Sequence, residues 1–168
     1  TALNYNTPFE LLIATILSAQ TTDKQVNKVT QVLFEKNHIP EDFAKMNPRE
    51  LASKIKSIGL YHNKSKYIIA TSKMLIDRFK GQVPATRKEL MQLPGVGRKT
   101  ANVVLACAFK KNSFPVDTHV QRVANRLGLV HTEKVIEIEK QLMDLIPETL
   151  WAKTHLRLIY HGRETCKA

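Results

Sequence analysis

Cysteine is scarce in this sequence, and so are patterns that would place the chain in a membrane or outside the cell. Only Cys107 and Cys166 occur among the 168 residues, which excludes a disulfide framework and favours an intracellular protein. No apolar run is long enough to span a bilayer, and the opening TALNYNTPFE is not a secretory signal. Because it lacks an initiator Met, we expect a trimmed N-terminus. The six histidines show no zinc spacing.

Acidic residues are also few, since 15 Asp and Glu face 26 Lys and Arg and leave a formal net charge of +11. Such an excess favours a polyanionic partner, most often nucleic acid, although a merely basic protein is an open alternative. The cations are dispersed along the chain, which fits a folded surface better than a disordered arm.

Strand-like alternation is rare and helix start signals recur, so an all-α fold is predicted. A capping residue with a proline or an acidic residue after it begins three stretches: Thr7-Pro8-Glu10, Asn47-Pro48-Glu50 and Thr86-Glu89. Asp23 is expected to cap another helix, and a long helix is expected to span 61–79 with Gly81 at its end. One more helix should follow the turn at 94–97, and three others should begin near Asp117, Glu133 and Thr149. Gly59 is expected to end the helix that begins at Pro48.

The segment KKNSFP, residues 110 to 115, is the best candidate for a domain boundary, because it is polar and ends in proline. We therefore place one domain at 1–111 and a second at 112–168. On this division the apolar helix before the segment and the helix near Asp117 would face each other across a cleft.

The stretch LPGVGRK, residues 93 to 99, joins a short helix to that apolar helix. Pro94 would end the short helix, while Gly95 and Gly97 permit backbone angles that other residues avoid. The first N–H groups of the next helix lack partners within it, so the turn can bind an anion such as a DNA phosphate. An ordinary tight turn is the alternative.

Lys99, beside Arg98, is unusual because a cation in the first helical turn opposes the helix dipole. That field would favour the neutral amine, which is the form of lysine that attacks carbon. A solvated lysine at a helix end is the alternative.

Asp117, in PVDTH, is predicted to cap the next helix. A capping carboxylate is held rigidly and would stay ionised, so it could also stabilise a nearby cation. His119 is either a hydrogen-bonding support or a surface residue.

The segments LPGVGRKTANVVL and VDTHVQRVANRLGL resemble the helix-hairpin-helix and Gly/Pro–Asp signature of the endonuclease III family of base-excision DNA glycosylases. The resemblance extends from NTPFELLIATILSAQTTD through IGLYHNKSKYI to HGRETC, nearly the whole chain. It implies a two-lobed fold, with a six-helix barrel that carries a hairpin at about 86–109 and an incomplete iron–sulfur lobe. It also implies that Lys99 is the nucleophile and Asp117 its partner.

The resemblance implies a bifunctional glycosylase and abasic-site lyase that acts on oxidised pyrimidines such as thymine glycol in double-stranded DNA. Lys99 would attack C1′ of the sugar, Asp117 would stabilise positive charge, and β-elimination would nick the strand. The hairpin residues Gly95, Val96, Gly97 and Arg98 would hold a phosphate. The alternatives are a thymine or uracil mismatch glycosylase and a helix-hairpin-helix module that binds DNA without chemistry.

Other residues match family segments that enter or contact DNA. Gln20 would fill the gap left by the flipped base, Leu60 would wedge the opposite strand, and His119 is a further candidate contact. Four cations are candidate phosphate contacts, with solvated charge as the alternative: Lys64, Lys66, Arg122 and Arg126.

Family members commonly hold a [4Fe–4S] cluster with four cysteines, and Cys166 matches the first of these ligands. The other three are absent from this chain, so we do not expect it to assemble the cluster, and a truncated second lobe is the favoured explanation. Cys107 is expected to be a small core residue. The resemblance further implies a monomer in the bacterial cytoplasm, associated with the nucleoid.

Overall fold

The structure is a computed structural model that describes residues 2–109 and 114–167, and all regular elements in these ranges are helical. The predicted all-α fold is confirmed. Most of the expected boundary segment, residues 110–113, lies outside the described residues. A short 3₁₀ turn, Glu148–Leu150, precedes the last α-helix. In chain order the α-helices are α1 (Pro8–Ser18), α2 (Asp23–Leu33), α3 (Pro40–Ala44), α4 (Pro48–Lys54), α5 (Tyr61–Phe79), α6 (Arg87–Leu90), α7 (Arg98–Ala108), α8 (Thr118–Arg126), α9 (Val135–Leu145) and α10 (Trp151–Glu164).

The chain divides into two compact units, Thr1–Val104 and Leu105–Ala168. In the first unit the long helix α5 packs against α1, α3 and α4. Helix α1 supplies much of this unit's core, because every residue from Phe9 to Leu17 is buried. The expected domain limit between residues 111 and 112 stays a prediction.

The second unit has its own apolar core, built mainly where α8 packs against α10. Gly162 on α10 permits this close approach, because a Cβ there would lie 3.1 Å from both His119 Cβ and Val123 Cγ2. The buried core residues of this unit are Phe114, Val116, Val120, Val123, Ala124, Val130, Ile138, Leu142 and Leu158.

Side-chain caps begin α1, α2, α4, α6 and α8. The Thr7 hydroxyl accepts the Glu10 N–H at 3.1 Å, as predicted, but the Glu10 carboxylate accepts the N–H of Asn6 at 2.7 Å and not that of Thr7. The carboxylate therefore stabilises the chain one residue before the cap. Asn47 and Thr86 cap α4 and α6, as their sequences indicate.

Two expected limits are wrong. Thr22, and not Asp23, caps α2, because the Thr22 hydroxyl accepts the Gln25 N–H at 3.3 Å while Asp23 is already helical. Helix α4 ends at Lys54 rather than at Gly59. Ile55 leaves the helical conformation, and Ile55 and Ile58 are both buried, so the segment before Gly59 follows the core as turns.

No helix in the described ranges is long and apolar enough to cross a membrane.

Candidate functional site

Helices α6 and α7 are joined by a turn that rests on α5. Gly95 has a φ of +77°, and a Cβ there would lie 2.9 Å from the Cβ of Tyr67. One helical turn further along α5, the Thr71 hydroxyl donates to the carbonyl of Pro94 at 2.7 Å. Glycine is therefore required at position 95 both by the left-handed backbone and by the contact with α5.

Gly97, in contrast to Gly95, does not adopt a backbone conformation that requires glycine. Its φ lies outside the left-handed region, and nothing lies within 4 Å of a Cβ built there. The protein itself thus places no demand on glycine at this position, and its outer side is open to another molecule.

Val96 lies between the two glycines and faces inward. Its side chain is 7% exposed, and its N–H donates to the Leu93 carbonyl at 3.1 Å. Val96 anchors the turn in the core, and its direct contact with DNA stays a prediction.

A partly buried hydrogen bond connects the two hairpin helices. Nε of Arg87 on α6 donates to the Asn102 side-chain carbonyl on α7 at 2.8 Å. Asn102 is 1% exposed, so its end of the bond is shielded from water, and the bond fixes the start of α7 against α6. Sequence patterns did not single out this pair.

Lys99 is exposed in the first turn of α7, next to the half-buried Arg98. Helical hydrogen bonding begins with the Gly97 carbonyl, which accepts the Ala101 N–H at 2.9 Å. The predicted start of this helix is confirmed. Its position presents the Lys99 amine on the surface, where a macromolecular substrate can reach it.

Asp117 caps α8, as predicted. The residue has an extended backbone, and its Oδ1 accepts the Val120 N–H at 2.9 Å. The carboxyl group is half-buried and its orientation is fixed by the helix start.

His119 lies against α10. Its Nδ1 is 3.2 Å from Nη2 of Arg122, and its side chain fills the space above Gly162. These contacts favour a supporting role within the second unit, and a contact with DNA stays a prediction.

Gln20 and Leu60 share an unusual conformation. Their φ values are 57° and 58°, in the left-handed region that residues other than glycine seldom adopt. Both side chains are exposed, that of Leu60 by 56%. The two loops lie side by side, because the Gly59 N–H donates to the Thr21 hydroxyl at 3.2 Å.

Lys64 is buried beneath these loops, and its assignment as a phosphate contact is wrong. It is only 4% exposed, and its Nζ donates to the carbonyls of Leu17, at 2.8 Å, and Ala19. Burial lowers the pKa of this amine from its ordinary value. The stripe of buried residues along α5 contains Lys64, Ile68, Thr71 and Leu75, and this spacing was the signal in the sequence.

Two further candidate cations make hydrogen bonds within the protein, although Arg126 is also exposed and its contact with a phosphate stays a prediction. Arg122 donates to the carbonyls of Gly162 and Cys166, both at 2.8 Å. Arg126 donates to the Lys167 carbonyl at 2.7 Å and contacts the Cys166 Sγ at 3.2 Å. Lys66 is exposed, as expected for a surface cation.

The donor set present does not fit an iron–sulfur cluster. A [4Fe–4S] cluster needs four thiolates, whereas this chain has two cysteines, and the described residues contain no group of three or more His, Cys, Asp or Glu that could hold a metal. A hydrogen bond from Arg126 lowers the pKa of the Cys166 thiol.

Residues 13–148 match the HhH-GPD superfamily of base excision DNA repair proteins. The chain is 52% identical over 167 residues to endonuclease III of Bacillus subtilis, covering 99% of this chain and 76% of that protein. It is 47% identical to endonuclease III of Haemophilus influenzae, covering 100% of this chain and 80% of that protein.

Solved structures give the same result. A trapped covalent intermediate of endonuclease III with DNA, an estranged-adenine complex, matches with a TM-score of 0.96 and 53% identity, over 100% of this chain and 79% of the other. A thermostable thymine-DNA glycosylase matches with a TM-score of 0.86 and 28% identity, over 98% of this chain and 77% of the other.

Proposed function

Since this chain belongs to the endonuclease III family, which makes it a DNA glycosylase and abasic-site lyase of base excision repair, we propose that Lys99 and Asp117 carry its chemistry. The observation that carries the proposal is the exposed position of Lys99 in the first turn of α7, two residues after the open space at Gly97.

In the proposed reaction the amine of Lys99 attacks C1′ of the damaged nucleotide. A bond forms between Nζ and C1′, the bond from C1′ to the base breaks, and the base leaves with a proton. The sugar ring then opens: the C1′–O4′ bond breaks, O4′ takes a proton, and the nitrogen lone pair forms the C1′=N bond of the Schiff base. The Schiff base acidifies C2′, so loss of a C2′ proton expels the 3′ phosphate and nicks the strand. Asp117 stabilises positive charge on the sugar, and its cap to Val120 keeps the carboxylate oriented.

The proposed substrate is double-stranded DNA that contains an oxidised pyrimidine, such as thymine glycol, or an abasic site. The net charge of +11 favours a polyanion, and relatives at 53% identity were solved as complexes with DNA. The identity of 28% to a thymine-DNA glycosylase is much lower, which favours oxidised pyrimidines over mismatched thymine.

We propose that the hairpin turn holds a DNA phosphate. The protein leaves the space above Gly97 open, so a phosphate can approach the backbone at the N-terminus of α7. Gly95 and Val96 contribute by fixing the turn against α5 and the core. Arg98, half-buried beside Lys99, is a further candidate contact.

Gln20 and Leu60 are the proposed residues that enter the duplex. Both are exposed on adjacent loops, and Leu60 presents an apolar side chain to solvent. An apolar wedge of this kind unstacks bases and helps to extrude the damaged nucleotide.

Cys166 is proposed as one ligand of the family's iron–sulfur cluster. The contact with Arg126 favours its thiolate, the form of cysteine that binds metals. The other three ligands would have to come from outside these 168 residues, and no step of the proposed reaction uses the cluster.

Borohydride trapping tests the proposal. The wild-type chain should form a covalent adduct with duplexes that contain thymine glycol or an abasic site, because borohydride reduces the Schiff base. Lys99→Gln should form none on either duplex. Asp117→Asn should still form an adduct at the abasic site while base release falls about 100-fold or more.

Lys73→Gln is the control, since it removes an exposed cation of the same unit that has no assigned contact to DNA. A wild-type chain that binds the duplex without forming an adduct would favour the binding module. An adduct that survives in Lys99→Gln would assign the nucleophile to another amine.

A further inference from the structure

Two neighbouring loops of the first unit hold residues in a strained conformation. A left-handed φ costs about 1–2 kcal/mol for a residue with a Cβ, and Gln20 and Leu60 both adopt it. Such a conformation persists only where surrounding contacts enforce it. The contacts that enforce it here converge on Lys64.

The Lys64 ammonium holds the first of these loops from below. Its Nζ donates to the carbonyls of Leu17 and Ala19 and lies 3.5 Å from the Thr21 hydroxyl. These oxygens flank Gln20 in the chain, and two of them are carbonyls near the C-terminus of α1, where a cation is favoured. The loop therefore wraps around a buried positive charge.

The same residue also fixes the second loop. The backbone N–H of Lys64 donates to the Leu60 carbonyl at 3.0 Å, which starts α5 directly after the left-handed residue. The Thr21 hydroxyl lies between the loops, because it approaches Lys64 Nζ and accepts the Gly59 N–H at 3.2 Å. The carbonyl of Gln20 lies so close to Gly59 that a Cβ there would be 3.1 Å away.

We propose that Lys64 is a positioning residue that sets the spacing of Gln20 and Leu60 for joint entry into the duplex. This inference rests on the proposed function, in which those two side chains replace and wedge bases. Lys64 touches neither DNA nor the reacting atoms in this role. Its ammonium keeps the two loops at a fixed separation, so the duplex is opened without first ordering the protein.

The expected signature is a loss confined to substrates that must be opened. Lys64→Met keeps the length of the side chain but removes its donors, so the duplex abasic site should be trapped about 10- to 100-fold more slowly. A single-stranded oligonucleotide with the same abasic site has no stack to open, and its trapping rate should change less than about 3-fold.

Two other variants complete the test. Lys73→Met, on an exposed position of the same helix with no assigned contact to DNA, should leave the ratio of the two trapping rates unchanged. Thr21→Val removes the hydroxyl between the loops and its contact with Lys64 Nζ, but it leaves the amine and its two carbonyl acceptors in place. It should therefore lower the duplex rate alone, by about 3- to 10-fold. If Lys64→Met does not fold, the two trapping rates of Thr21→Val test the role of Lys64.

Equal loss on both substrates, or no loss on either, in a folded Thr21→Val or Lys64→Met chain would overturn the role of Lys64. A wild-type chain that is trapped on neither substrate would instead contradict the proposed function.

Discussion

Gly95 and Gly97 are two positions apart in one turn, but a side chain would meet different surroundings at each. At Gly95 the backbone is left-handed and Tyr67 fills the space that a Cβ would need. At Gly97 the backbone is ordinary and the space is open. One glycine therefore serves the fold, and the other leaves room for a ligand.

Alanine at these two positions should separate stability from binding. Gly95→Ala should lower the free energy of unfolding by about 2–4 kcal/mol, because strain and overpacking add. Gly97→Ala should cost less than about 1 kcal/mol, a helix-start effect, yet weaken duplex binding about 10-fold by occupying the phosphate space. Denaturant unfolding and a binding titration measure both. Equal losses of stability would contradict this assignment.

At the scale of the helices, the sequence predicted what local chemistry decides. The caps of α1, α4 and α6 and the end of α5 before Gly81 depend on residues within a few positions, so local patterns located them. The end of α4 and the burial of Lys64 depend on distant partners. The carbonyl of Leu17 lies 47 residues before the amine that donates to it, which no local pattern reports.

The candidate site shows the same division. Lys99 and Asp117 could be found from the family resemblance and from their positions at helix starts. The support of the hairpin by Tyr67 and Thr71 could not, because it requires knowing that α5 runs beneath the turn. The occupied guanidinium of Arg122 was missed for the same reason, since its acceptors lie about 40 residues later.

Helix α9 begins with a charge that should make its start sensitive to acid. The Thr132 hydroxyl, and then Lys134, lower the pKa of Glu137 below its ordinary 4.5. A lowered carboxyl pKa stabilises the folded chain above 4.5, and this stabilisation is lost as the pH falls from 4.5 through the folded value. Glu137→Gln should therefore flatten the acid side of the plot of Tm against pH, and Thr132→Val should flatten it less. Parallel curves for wild type and Glu137→Gln would show that the contacts are not retained in solution.

For the molecule as a whole, some of the 26 Lys and Arg side chains already have hydrogen-bond partners within the chain and have fewer donors left for DNA. Lys64, Arg122 and Arg126 are engaged by oxygen or sulfur atoms of the chain itself. Each exposed cation that neutralises a phosphate releases a counterion, whereas an occupied one does not.

The salt dependence of duplex binding should distinguish these two classes. Lys66→Gln should reduce the slope of log K against log salt concentration by about 0.9, because one phosphate contact is lost. Arg122→Gln should leave the slope unchanged and lower the free energy of unfolding by about 1.5–3 kcal/mol, because charged hydrogen bonds are lost. Equal changes in slope would mean that Arg122 also reaches the duplex.

At the left-handed residues Gln20 and Leu60, the stability of the fold and the proposed activity favour different side chains. Glycine adopts such φ values without a steric penalty, so replacing either residue would relieve about 1–2 kcal/mol of strain. The same replacement would delete a side chain proposed to enter the duplex. Laboratory evolution for heat resistance alone would therefore enrich glycine at both positions and yield thermostable variants with low DNA repair activity.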